Sequence, residues 1–128
     1  AMSKLSRNKG SSFERWCVNQ IMDNLGYDCK RNLSQYQIKG EADILIPGWS
    51  IECKAYAKGK SGLHKPEWWE QCVQSSGRRE PVLIYKLDYQ EPRAVIFLSV
   101  ISKDFKKTGM TCTISLQDWF YIVREKIS

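Results

Sequence analysis

Asp43, Glu52 and Lys54 are the residues of this 128-residue chain whose types and spacing could do chemistry together. They frame the segment Asp43-Ile-Leu-Ile-Pro-Gly-Trp-Ser-Ile-Glu52-Cys-Lys54, in which Pro47-Gly48 separates two short β-prone runs. A turn signal between such runs predicts an antiparallel hairpin. A turn centred on Pro47-Gly48, with a loop of even length, sets Asp43 directly opposite Glu52. Side chains so opposed on one sheet face lie about 4.5–5.5 Å apart at Cβ, where like charges repel. A cation between the two carboxylates is the most economical way to keep them there. Lys54, two residues beyond Glu52, projects from the same face, while Ile44, Ile46, Ile51 and Cys53 give the other face an apolar side. This is a metal-site geometry.

The chemistry that fits is phosphodiester hydrolysis. Mg²⁺ prefers oxygen ligands, keeps several waters, and takes one or two protein carboxylates together with substrate phosphate. Such an ion polarises a phosphoryl oxygen and lowers the pKa of a bound water, and a neighbouring lysine orients that water or stabilises developing charge. Asp43 and Glu52 are the expected ligands, the Cys53 backbone carbonyl a third, and Lys54 the positioning or stabilising cation, with Mn²⁺ as a substitute for Mg²⁺. The plain alternative is cross-strand surface pairing. Glu41 falls opposite Lys54 in the same register and could form a salt bridge, but that reading leaves Asp43 facing Glu52 unexplained.

The elements that must position these residues follow from apolar spacing and turn chemistry. Residues 1–10 are polar and read as a flexible basic arm, with a single domain over 11–128. Apolar positions 13, 17, 21 and 25 follow helical spacing, with Ser11 or Ser12 as cap and Gly26 as terminator. Residues 27–33 read as a strand, and residues 34–40 as a polar loop into the hairpin. Residues 58–62 form a basic, glycine-containing loop. Pro66 suits the first turn of a second helix running to about Ser76, with Gly77 ending it. Residues 81–87 and 93–100 are strand candidates joined by a turn containing Pro92, and 111–116 is a last short strand. Leu116, Phe120, Val123 and Ile127 mark a C-terminal amphipathic helix. The order is α-β-β-β-α-β-β, then the last short strand and a helix, with no repeat, linker or heptad pattern.

Composition bounds the partners. No segment approaches the roughly 18 apolar residues of a membrane span, and no apolar signal-peptide core follows the N-terminus, so a cytoplasmic setting is expected. Ala1 ahead of Met2 reads as a remnant of expression. The five cysteines (17, 29, 53, 72 and 112) never fall in C-x-x-C spacing and read as reduced, buried thiols rather than disulfides or a zinc site. His64 is the sole histidine, which excludes schemes needing two, and it reads as a loop residue beside phosphate rather than a ligand. The net charge of +6 suits a polyanion. Its distribution adds to this: Lys9, Lys30, Arg31, Lys58, Lys60, Arg78 and Arg79, with Arg15, flank the proposed site and are the expected DNA contacts. No helix carries the clustered Arg/Asn/Gln set of a major-groove reader, so backbone-tracking, structure-selective recognition is expected.

These residues resemble a family. Asp43 followed by Glu52-x-Lys54 is similar to the core motif of the PD-(D/E)XK nuclease superfamily. Its context is Gly10-Ser-Ser-Phe13-Glu14-Arg15 on the opening helix, then Lys30-Arg31, then Gly40-x-x-Asp43. That context most resembles the archaeal-type Holliday junction resolvases, over residues 7–87. The resemblance implies an α/β, restriction-endonuclease-like fold with a mixed central sheet flanked by helices. It also implies a homodimer and Mg²⁺-dependent incision of branched DNA in recombination, in a microbial or phage setting and so in the host cytoplasm for a phage protein. Glu14 matches the family's first-helix acid, a metal ligand directly or through water, and Gln71 its second-helix glutamine. Both have plainer readings: Ser11-x-x-Glu14 has capping-box spacing, and Gln74 competes with Gln71. The chain departs from the family in Ala42-Asp43 for Pro-Asp and in the tandem Trp68-Trp69. Adjacent tryptophans on a helix cannot face the same way, so one is expected exposed or at a subunit contact. The tryptophan surplus (Trp49, Trp68, Trp69, Trp119) is the residue-level support for a dimer. Two other functions stay open: a nuclease of this fold acting on single-stranded, flap or nicked DNA, and a DNA-binding module without catalysis.

Overall fold

A computed structural model describes residues 4–29, 42–56, 63–105 and 109–127. Glu41, the loop 34–40 and the predicted contacts Lys30, Arg31, Lys58 and Lys60 lie outside them. The described elements are α1 (Lys4–Leu25), β1 (Ile44–Ile46), β2 (Trp49–Tyr56), α2 (Pro66–Gln74), β3 (Glu80–Leu87), β4 (Arg93–Phe97), β5 (Thr111–Ser115) and α3 (Leu116–Ile127). A 3₁₀ turn, Leu98–Val100, ends β4, which shortens the strand expected there.

The strands form one mixed sheet in the order β1-β2-β3-β4-β5. β1 and β2 are the predicted hairpin, with Ile46 opposite Trp49 and Ile44 opposite Ile51, the register a Pro47-Gly48 turn dictates. Gly48 sits at φ +81°, a left-handed conformation in which a Cβ is strained, and this lets the chain reverse in two residues. β2 then runs parallel to β3, and α2 makes the crossover that a parallel pair requires. β3, β4 and β5 continue as antiparallel neighbours.

Side-chain alternation divides the sheet. Ile44, Ile46, Ile51, Cys53, Val82, Ile84, Ala94 and Ile96 pack with Phe13, Cys17 and Ile21 of α1 and with Leu116, Trp119, Phe120 and Val123 of α3. Leu83, Tyr85, Leu87 and Val95 pack on the other face against Trp68 and Cys72 of α2. The apolar side predicted for the hairpin is therefore the floor of the larger core. Glu52 and Lys54, on the alternate positions, are turned toward α2.

Three expectations are corrected. α1 begins at Lys4, so residues 4–10 are helical rather than an arm, and Ser11 and Ser12 lie inside the helix instead of capping it. Lys, Arg, Asn and Ser are tolerated in a helix at small intrinsic cost, and an interior Gly10 costs only about 1 kcal/mol, so no apolar period announces this extension. The capping-box role for Glu14 falls with it. Of the strand expected over 27–33, residues 30–33 lie outside the described residues; 27–29 form no ladder, and Tyr27 and Cys29 pack on the larger core as an irregular segment. Finally, both tandem tryptophans have partners within the chain. Trp68 is buried against Tyr56 and Tyr85, and Trp69 packs edge-on to Phe97 at 5.1 Å. Trp49 and Trp119 meet at 5.4 Å in the larger core. The tryptophan surplus is thus absorbed internally. All five cysteines are free, three buried and Cys29 and Cys112 half-buried. No described helix is long and apolar enough to cross a membrane.

Candidate active site

Asp43 stands one residue before β1, where the hairpin register carries it opposite Glu52. Both are deeply buried, at 4% and 2% exposure. The Cys53 N–H donates to Asp43 Oδ2 at 2.7 Å, so the carboxylate occupies the place of a backbone acceptor at the end of the ladder. A residue's N–H and C=O point to the same side of its strand, which aims the Cys53 carbonyl toward the Asp43 edge as well. Glu52 shares a side-chain hydrogen bond with Asp43. Burial, then the neighbouring Asp43 charge, pushes the Glu52 carboxyl up from its ordinary 4.5 to about 8; Lys54 acts in the opposite sense. Two carboxyls meeting in a buried place hold together by sharing a proton.

Ser75, the residue that caps the C-terminus of α2, contacts the same carboxyl: its Oγ lies 3.2 Å from Glu52 Oε1. Its hydroxyl also lies within reach of the Gln71 and Cys72 carbonyls, at 3.0 and 3.2 Å. Fully buried Ser50, two residues before Glu52 on the same strand face, points its Oγ at the Ser75 carbonyl at 3.5 Å. Ser75 and Ser50 are not evident in the sequence. A serine near a helix end reads as ordinary capping, and only the parallel β2-α2-β3 crossover brings it to the acid.

Glu14 is buried, at 7% exposure, on the α1 side of the sheet. Its charge is one of those raising the Cys53 thiol, after the Cys17 side chain, burial and Asp43, so it approaches the Asp43–Cys53 corner from the opposite face. Gln71 and Gln74 are both exposed on α2. Gln71 lies one turn before Ser75, and its carbonyl accepts the Ser75 N–H. Lys54 is half-buried beside Tyr85, its register partner on β3.

The predicted DNA contacts divide. Arg15 is exposed on α1, its guanidinium 3.4 Å from Ser12 Oγ. Lys9 lies within α1. Arg78 and Arg79 are exposed in the turn entering β3, at the Pro47-Gly48 end of the sheet, where Glu80 pairs with Trp49. They are therefore set apart along the strands from Lys54.

Among the described residues no group of three His, Cys, Asp or Glu side chains has metal-binding proximity. The donor set fits a hard divalent ion nonetheless. Two converging carboxylates and a strand carbonyl are all oxygen, and Mg²⁺ is commonly held by one or two protein carboxylates with water and phosphate completing its shell. With its pKa raised to about 8, the Glu52 carboxyl would have to give up its proton to such a cation at neutral pH. A family model described as "Phage putative PDDEXK endonuclease" matches residues 5–121. No curated protein matches the chain.

Proposed function

The chain belongs to the phage PDDEXK endonuclease family, and we propose that it is a Mg²⁺-dependent DNA endonuclease with Asp43, Glu52 and Lys54 at its centre. The family is one of nucleases, and the mixed sheet flanked by helices is its restriction-endonuclease-like fold. The observation that carries the assignment is the buried, hydrogen-bonded Asp43–Glu52 pair beside Lys54. In this reading Asp43, Glu52 and the Cys53 carbonyl hold Mg²⁺, with Glu14 contributing through water. The bound ion supplies Lewis acidity and an activated water. Ser75 holds Glu52 in orientation, so that its carboxylate does not rotate when the shared proton leaves. Lys54 orients the attacking water and stabilises charge developing on the phosphoryl oxygens. Gln71, one turn before Ser75, faces the substrate side of the same helix.

The substrate we propose is branched DNA, with a four-way junction cut by a homodimer in two symmetric incisions, since a two-fold protein suits a two-fold substrate. Basic residues spread over several elements favour backbone tracking over base reading. The test is a panel of equal amounts of four-way junction, flap, single strand and linear duplex, each with Mg²⁺ and with EDTA. Paired nicks confined to the junction, and absent in EDTA, support the reading. Preferential cutting of single strands or flaps overturns the resolvase assignment, and no Mg²⁺-dependent cutting of any substrate overturns the nuclease assignment.

A further inference from the structure

Beyond Lys54 the same face of β2 carries Tyr56, the last residue of the strand and 43% exposed. At about 3.3 Å of rise per residue, Tyr56 lies about 7 Å from Lys54 and 13 Å from Glu52 along one line. Lys65, exposed at the start of α2, holds its ammonium 4.7 Å from the Tyr56 ring centroid and 5.9 Å from that of Trp68. Trp68 backs the Tyr56 ring at 4.9 Å. Beneath them Tyr85, register partner of Lys54, is 1% exposed, and its hydroxyl has no hydrogen-bond partner. The His64 ring lies 5.5 Å from the Tyr85 ring, and its Nδ1 is likewise unpartnered. Burial lowers the His64 pKa, and Lys65 supplies positive charge to the patch. Buried polar atoms left unpaired are costly, and two of them beside a half-exposed ring and a free-ended ammonium mark a place built for a further group.

We propose that Tyr56, Lys65 and His64, over the Tyr85 hydroxyl, form a subsite for an unpaired DNA nucleotide next to the scissile phosphate. The base stacks on Tyr56, whose support by Trp68 fixes the ring. The Lys65 ammonium exchanges its contact with the ring for the nucleotide's phosphate. His64 and Tyr85 supply hydrogen bonds to the sugar or base edge. A base stacked within a duplex cannot offer its face to Tyr56, so the subsite takes a nucleotide unstacked at the branch point, where a junction strand parts from its partner beside the cut. This assignment of substrate rests on the nuclease reading for its location, and it is tested through binding alone.

The experiment measures fluorescence anisotropy of a labelled single-stranded 16-mer and of the blunt duplex of the same sequence, with Ca²⁺ in place of Mg²⁺. Tyr56→Ala is expected to weaken single-strand binding about five- to hundredfold and duplex binding by less than about twofold, with Tyr56→Phe recovering most of the loss. Lys65→Gln, at an exposed position that no core depends on, is expected to reduce the single-strand salt slope by about 0.7. Equal losses on both substrates, or no loss, overturn the subsite; should Tyr56→Ala fail to fold, an unchanged salt slope in Lys65→Gln overturns it alone. Selective loss in a chain that cuts nothing would leave the subsite standing and the nuclease reading failed.

Discussion

The proposed chemistry centres on Glu52, which is both buried and faced by a second acid. Its carboxyl is raised to about 8, so the metal-free protein keeps it protonated at neutral pH. The folded pKa lies above the ordinary 4.5, so its contribution to stability is full below that value and is lost as pH rises through about 8. The melting temperature in EDTA is expected to fall as pH climbs from about 5 to about 8.5, and Glu52→Gln should flatten that fall. Mg²⁺ must displace the shared proton, so it should raise the melting temperature at the alkaline end and bind more weakly as pH drops. Asp43→Asn and Glu52→Gln should lower single-turnover cleavage by more than about a thousandfold while leaving DNA affinity in Ca²⁺ within a few-fold, whereas Lys54→Ala should lose about a hundred- to a thousandfold. A carboxylate variant that cuts at the wild-type rate contradicts the assignment. Asp43, Glu52 and Lys54 were legible in the sequence because a two-residue turn and strand alternation fix relative position within twelve residues. Ser75 was not, because its contact with Glu52 depends on a crossover no local pattern encodes.

Among the elements, the hairpin is the one whose geometry the site inherits. Its Pro47-Gly48 turn fixes which residue faces Glu52, so strain in the turn should reach the chemistry. Gly48→Ala meets no neighbour within 4 Å, leaving only the left-handed backbone to oppose it. It should cost about 1–2 kcal/mol of stability, read by urea unfolding. Cleavage should fall further than that loss alone explains, because a shifted register separates Asp43 from Glu52; unaltered stability and activity would remove the turn from the account. The amphipathic helices α2 and α3 and the strands β2 and β3 were legible from period and punctuation. The start of α1 was not, since Lys4 to Gly10 has no apolar period. The irregular stretch after Gly26 mimics a strand because Tyr27 and Cys29 are both partly buried.

For the molecule as a whole, the sheet divides labour between its faces: α1 and α3 close the larger core, and α2 covers the face bearing Glu52 and Lys54. The tryptophans expected to mark a dimer contact pack within the chain, so the proposed two-fold assembly rests on substrate symmetry. Light scattering at micromolar concentration is expected to give twice the chain mass; a monomer would remove the resolvase while leaving an endonuclease. In the proposed site Asp43 and Glu52 jointly hold the divalent ion that family membership implies. Anomalous diffraction from crystals soaked in Mn²⁺ near pH 8 tests it most directly. A peak is expected about 2.0–2.3 Å from an oxygen of each carboxylate; ordered Asp43 and Glu52 side chains with no peak between them would show that they do not hold the ion.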